Sequence, residues 1–233
     1  MRTLEELLAV DDPASPLVRQ LLDAAGEDVR LLPVEPDRRV RCLTGLQVTV
    51  RSVLGTVAYE TGGLLVHHGW LRLLGGGHGR LPSLYEAAQV DDSAPRPGHL
   101  VLGWDVVGGV FALDAGGLGR SGRVCYYAPD ALQWEDLGLG YADFVEWILS
   151  GGVRTLAEDV WWDGWQEQAA TLPLDEAYLV EPPLWAHSGG DAEEASRRRV
   201  PVTELLERHR RAARVPRASR HRRAGLTARF GHG

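Results

Sequence analysis

Between residues 44 and 127 the apolar residues of this chain come in short runs cut by glycine, and that punctuation restricts the fold more than any other feature. Leu46, Val48 and Val50 alternate with Gln47, Thr49 and Arg51, the period of a half-buried strand. Further strand-like runs lie at 56–60, 64–67 and 70–74, separated by Gly55, by Gly62-Gly63 and by the triplet Gly75-Gly76-Gly77. A polar, proline-bearing loop at 91–97 precedes three more, at 99–104, 109–114 and 123–127. Parallel neighbours need a crossover of a dozen or more residues, and these gaps are shorter, so the sequence predicts antiparallel hairpins.

Helical signals bracket this region. Thr3-x-x-Glu6 reads as a capping box over Leu4, Leu7 and Leu8. Ser15-Pro16 predicts a helix start with Leu17, Val18, Leu21 and Leu22 as its apolar stripe and Gly26 as its stop. Tyr141, Phe144, Val145 and Ile148 fall at i, i+3, i+4 and i+7, and Gly151-Gly152 ends that helix. The stretch 155–171 reads as helical with a break at 161–165; 177–180 reads as extended, and Pro201 opens a last helix carrying Leu205 and Leu206. The expected class is α+β: N-terminal helices, a central mostly antiparallel sheet, and C-terminal helices packed on it.

Apolar residues make up 44% of the 233, enough for a sizeable core. No apolar run reaches membrane-spanning length, and the N-terminus turns acidic and helical at once, unlike a signal peptide. Cys42 and Cys125 sit far apart in apolar, strand-like surroundings and are expected to be buried reduced thiols, which places the chain in the cytoplasm. All 25 basic residues are arginine, and they are unevenly spread. Residues 1–195 carry a net charge of −17, whereas 196–233 carry +10. The reading is one domain over 1–210 followed by an arginine-rich disordered tail, 211–233.

A longer pattern points to a family. It runs through Thr61-Gly62-Gly63, His68-Gly69-Trp70-Leu71-Arg72-Leu73-Leu74-Gly75 and Trp104-Asp105-Val106-Val107-Gly108-Gly109-Val110-Phe111-Ala112-Leu113-Asp114. It continues with Tyr127-Ala128-Pro129-Asp130-Ala131-Leu132-Gln133-Trp134-Glu135, Tyr141-Ala142-Asp143-Phe144, Pro182-Pro183-Leu184-Trp185 and Ser196-Arg197-Arg198-Arg199-Val200-Pro201-Val202. In this order and spacing the chain resembles the bacterial family called domain of unknown function 2625 (DUF2625) over roughly residues 1–210. That resemblance implies no activity. A fold-level likeness to the SUKH superfamily, many of whose members are immunity proteins that neutralise toxins, implies a partner-binding role. Fold alone does not transfer function.

No assembled chemistry is legible. His67, His68 and His78 are the metal suspects, but adjacent strand residues point to opposite faces, and no cysteine or carboxylate stands nearby at ligand spacing. Gly75-Gly76-Gly77-His78-Gly79-Arg80 lacks the strand-and-helix context of a phosphate cradle and reads as a flexible hairpin tip. The acidic pairs Glu135-Asp136 and Glu158-Asp159 are suited in principle to acid–base work, though such pairs are more often solvated. No cofactor is implied.

Six tryptophans, Trp134, Trp147, Trp161, Trp162, Trp165 and Trp185, crowd the second half as core or as the rim of a groove. The candidate binding residues are Trp70, Arg72, Asp105, Asp114 and Trp134, which mix aromatic and charged groups on the strands. The expected partner is a protein, basic where it meets the acidic body. Two alternatives stay open: an enzyme or small-molecule site between the sheet and the tryptophan-rich helices, and nucleic acid held by the tail at 211–233. No membrane partner is expected.

Overall fold

Seven strands lie side by side in chain order, each antiparallel to the next, in the computed structural model, which describes residues 1–88, 98–186 and 195–214. They are β1 (Val29–Leu32), β2 (Gly63–Val66), β3 (Leu71–Leu74), β4 (His99–Asp105), β5 (Val110–Asp114), β6 (Val124–Ala128) and β7 (Gln133–Asp136). A second antiparallel ladder pairs β8 (Glu176–Glu181) with β9 (Ser196–Pro201). The helices are α1 (Leu4–Leu8), α2 (Ser15–Ala25), α3 (Pro36–Leu46), α4 (Val53–Glu60), α5 (Leu84–Ala88), α6 (Tyr141–Leu149), α7 (Gly152–Ala157), α8 (Trp165–Thr171) and α9 (Val202–Ala213). The class is α+β, as the sequence predicts.

Register decides which side chains share a face, because cross-strand partners point the same way. One row runs Leu64, Leu73, Gly103, Phe111, Tyr126, Glu135. The Phe111 ring meets Phe144 of α6 at 5.3 Å, so α6 covers this face and buries Phe144, Val145 and Ile148, the positions its spacing marked. The opposite face carries the row Leu65, Arg72, Trp104, Val110, Tyr127, Trp134. At the N-terminus the Thr3 capping box forms as expected. α2 stops before Gly26, whose φ of 69° is open to glycine at little cost. Ser15 is the first residue of α2 rather than its cap, and its hydroxyl bonds Glu60 instead.

Two expected strands are absent. Leu46 ends α3, Gln47 turns left-handed with its N–H on the Leu43 carbonyl, and Val48 and Val50 lie in the link to α4. The run 56–60 is helical: Ser52 caps α4 by accepting the Gly55 N–H, and Val53 and Val57 are buried at a spacing of four. Cys42 accordingly sits in α3 rather than on a strand; both cysteines are buried and free. The segment Gly75-Gly76-Gly77 is no flexible tip. A Cβ on Gly76 would stand 2.6 Å from the Ala58 carbonyl, so the glycines let the loop pass against α4. Arg38 clamps the rest of the loop, donating to the carbonyls of Gly79 at 3.0 Å and Leu81 at 2.9 Å and pairing with Glu86 at 2.6 Å. α9 continues through Ala213, so residues 211–213 are helical and not tail. The loop expected at 91–97 and the tail from 215 to 233 lie outside the described residues.

Candidate binding site

β4 ends at Asp105, and the chain turns back at once into β5. The turn is held by that carboxylate: Oδ1 accepts the N–H of Val107 at 2.9 Å and of Gly109 at 2.8 Å, and Oδ2 accepts the Tyr126 hydroxyl from β6 at 2.7 Å. A Cβ at Gly109 would overlap both Asp105 Oδ2 and the Tyr126 hydroxyl, so glycine is needed there. Burial pushes the Asp105 carboxyl above its ordinary value; the Tyr126 hydroxyl, the Gly109 and Val107 N–H groups and Arg72 oppose the rise without cancelling it. Burial likewise raises Tyr126, with Asp105 adding to the rise.

Above this turn lies a cavity of about 50 Å³ between the sheet and α7. Trp70, Phe111 and Tyr126 form its aromatic wall, and Val153 and Leu156 of α7 face them. Four carboxylates line it: Asp105, Asp130, Glu135 and Asp159. Asp105 and Glu135 are buried, Asp130 is half-buried and Asp159 is exposed, so acid runs from the floor to the mouth. No arginine or histidine is among the lining residues. Glu135 and Asp159 come one from each of the acidic pairs noted in the sequence. Alternation on β7 sends Glu135 to the cavity face, while Asp136, on the other face, pairs with Arg120 at 3.4 Å.

The five sequence candidates are not brought together. Trp70 lines the cavity, edge-on to Trp165 at 5.4 Å. Arg72 lies on the opposite face from Asp105, 1% exposed, donating to the Gly69 carbonyl at 2.8 Å and the Leu172 carbonyl at 3.4 Å. Burial pushes it down to about 10, and the main opposing influence is Asp105. Asp114 closes the loop after β5, accepting the N–H groups of Gly116 at 2.8 Å, Leu118 at 2.9 Å and Arg120. Burial raises its carboxyl, but those N–H groups outweigh it and hold the group below the usual carboxylate range. Trp134 is half-buried on the far face, with His99 at 5.2 Å and Tyr127 at 5.4 Å.

The histidine pair also differs from expectation. His67 and His68 form the β2–β3 turn, both left-handed (φ 53° and 55°), with ring centroids 5.6 Å apart instead of on opposite faces. His67 stacks on Trp161 and Trp165, each at 5.1 Å, and those two indoles stack on each other at 4.5 Å. Trp162 and Trp165 are buried, so much of the tryptophan cluster is core. Among the described residues no group of three or more His, Cys, Asp and Glu is placed to hold a metal ion, and no helix is long and apolar enough to cross a membrane.

Relatives sharpen this picture. The family described as "Protein of unknown function DUF2625" matches residues 4–205. The chain belongs to that family. It is 40% identical over 209 residues to the uncharacterised protein YbfG of Escherichia coli (strain K12), covering 89% of this chain and 95% of that one. It is 33% identical over 189 residues to an uncharacterised protein of Haemophilus influenzae, covering 79% and 83%. No solved structure matches. The DUF2625 match thus takes in the Asp105 turn, all four cavity carboxylates and the histidine turn.

Proposed function

We propose that this DUF2625 protein is a non-catalytic binding domain that receives a basic side chain of a protein partner in its acid-lined cavity. The observation that carries the reading is the lining itself: four carboxylates, an aromatic wall and no basic residue, in a space of about 50 Å³. Sites for metabolite-sized ligands typically run from ~300 Å³ upward. A guanidinium or ammonium head delivered on a partner's side chain needs far less room, and the aromatic faces add attraction for a cation. The chemistry of Asp105 favours binding over catalysis, since both its oxygens are engaged in holding the turn. The body's charge of −17 over residues 1–195 accelerates encounter with a basic surface. An immunity-like role, with a toxin as the partner, is the specific form this takes if the SUKH likeness reflects a shared purpose.

The test is titration of the full chain with Gly-Arg-Gly amide and with the same peptide carrying neutral citrulline, followed by amide NMR shifts. The arginine peptide is expected to shift the cavity residues and the citrulline peptide to leave them in place. Asp130→Asn with Asp159→Asn should weaken binding by about ten-fold, the worth of ~1.4 kcal/mol. Equal binding of the two peptides, or indifference to the double substitution, would sink the reading.

A further inference from the structure

β7 is the last strand of the seven, so one of its long sides has no neighbour in the sheet. The bonds on its inner side fix which backbone groups are already used. Leu137 donates its N–H to the Val124 carbonyl at 3.0 Å. Bonded pairs alternate along an antiparallel ladder, so Glu135 exchanges bonds with Tyr126, and Gln133 with Ala128. The N–H and carbonyl groups of Trp134 and Asp136 therefore point away from the sheet, and no described residue bonds them.

Side chains alternate along the same four residues. Glu135, between the two residues whose backbone points outward, turns to the acid cavity, where Asp130 of the β6–β7 turn and Asp159 also stand. Trp134 lies on the other face, half-buried beside His99 and Tyr127. A strand laid antiparallel along β7 would make bonded pairs with Trp134 and Asp136 and a non-bonded pair with Glu135. In a non-bonded pair the Cα atoms stand about 4.5 Å apart and the side chains come closest. The added residue opposite Glu135 would thus point onto the cavity face, among the carboxylates. The residue after it would fall on the Trp134 side. No residue of β1, the opposite edge of the sheet, lines the cavity.

We propose that the protein partner docks by strand addition: an extended segment pairs antiparallel with β7 and delivers its basic side chain to the acid cavity from the position opposite Glu135. The inference rests on the acid-cavity reading and adds how the basic residue is presented. Main-chain bonds to Trp134 and Asp136 supply affinity, and the alternating side-chain positions supply specificity. The segment so defined carries a basic residue followed by an apolar one that lies on the Trp134 indole. A carboxylate in the basic position would meet Glu135 directly and be repelled.

The experiment titrates the full chain with Gly-Arg-Gly amide and with Ac-Thr-Thr-Arg-Val-Thr amide, following amide NMR shifts and hydrogen exchange at Trp134 and Asp136. The longer peptide is expected to bind about ten-fold tighter and to slow exchange at both amides. Two N-methylated forms of it test the register. Methyl groups on the two amides flanking the arginine remove the donors that face β7, and should return the affinity to that of Gly-Arg-Gly. A methyl on the arginine amide, which faces away, should cost less than about three-fold. The inference falls if the longer peptide binds no tighter, if the flanking methyl groups cost no more than the one on arginine, or if neither amide is slowed. It falls too if Trp134 and Asp136 are already protected before peptide is added, as they would be with a second copy of the chain paired on β7. None of these outcomes touches the acid-cavity reading, which is decided by arginine against citrulline; equal binding of those two overturns both.

Discussion

Asp105 and Asp114 end adjacent strands of one sheet and close the turns beyond them with the same device, a carboxylate accepting backbone N–H groups, yet their protonation equilibria move in opposite directions. The difference lies in what packs on each turn. Leu205 and His209 of α9 press on Gly108 from one side of the Asp105 turn, and the acid cavity lies on the other. The loop closed by Asp114 has Ala115, Gly116, Gly117 and Gly119 exposed. Both carboxylates are almost out of reach of solvent, 3% and 2% exposed, but Asp105 accepts two N–H groups and a hydroxyl among packed elements, whereas Asp114 accepts three N–H groups from the exposed loop that it closes. How tightly other elements pack on each turn, rather than the exposure of the aspartate itself, separates the two.

The sharpest way to break this comparison is to remove the Asp105 carboxylate. Asp105→Ala strands three donors, the N–H groups of Val107 and Gly109 and the Tyr126 hydroxyl. Each buried donor left without an acceptor costs ~1–3 kcal/mol, and relief of the buried charge returns part of that. A net loss of about 4 kcal/mol is expected in urea unfolding at pH 7. A loss no larger than that of Asp114→Ala would mean that the packing of α9 and the cavity wall on the Asp105 turn does not separate the two turns.

Part of this was legible in sequence. The strands β4, β5 and β6 and helix α6 announced themselves because alternation or a 3.6-residue period ran through enough residues to exclude the other geometry. The stretch 44–60 misled because three alternating apolar positions fit a helix end and a loop equally well, and because Gly55 and the β-branched residues of α4 mimic a strand. β1, β7 and β9 went unseen: β1 and β7 are sheet edges, β9 carries Arg197, Arg198 and Arg199, and such strands need no continuous apolar stripe. At the site, sequence singled out Trp70 and Asp105 and marked Glu135 and Asp159 as members of acidic pairs. It gave no sign that β7 and the turn after α7 converge on one space, since that contact depends on how α7 lies across the sheet. Asp130 appeared only inside the longer family pattern, with no role attached to it.

The packing of α9 on the Asp105 turn offers a second, smaller handle. His209 is 3% exposed, edge-on to Trp185 at 5.4 Å, and burial pushes its imidazole down to about 4 despite a bond to the Gly108 backbone. The folded value lies below the unfolded one of about 6.5. Its contribution to stability is therefore complete above about pH 6.5 and is lost as pH falls from there toward 4, by about 3 kcal/mol in all. His209→Gln should flatten that part of the stability profile in urea titrations between pH 7 and 4. An unchanged slope would show that α9 is not held to the turn by a neutral histidine.

The smallest effect is the most discriminating, because it tests the sign of the comparison. Asp105 has a raised folded value, so the neutral form is favoured in the native state. Its contribution is full below the unfolded value of about 3.9 and declines as pH rises through the folded one. Asp114 has a lowered folded value, so its contribution is present above about 3.9 and is lost as pH falls through the folded one. Subtracting the unfolding free energy of Asp105→Asn and of Asp114→Asn from that of the parent at each pH cancels the background of the other acids. The two difference curves should slope in opposite directions through the acid range, that for Asp105 rising toward low pH and that for Asp114 falling. If both fall together, the Asp105 carboxylate is stabilised as an ion by its three donors, and its turn is electrostatically the same as the one Asp114 closes.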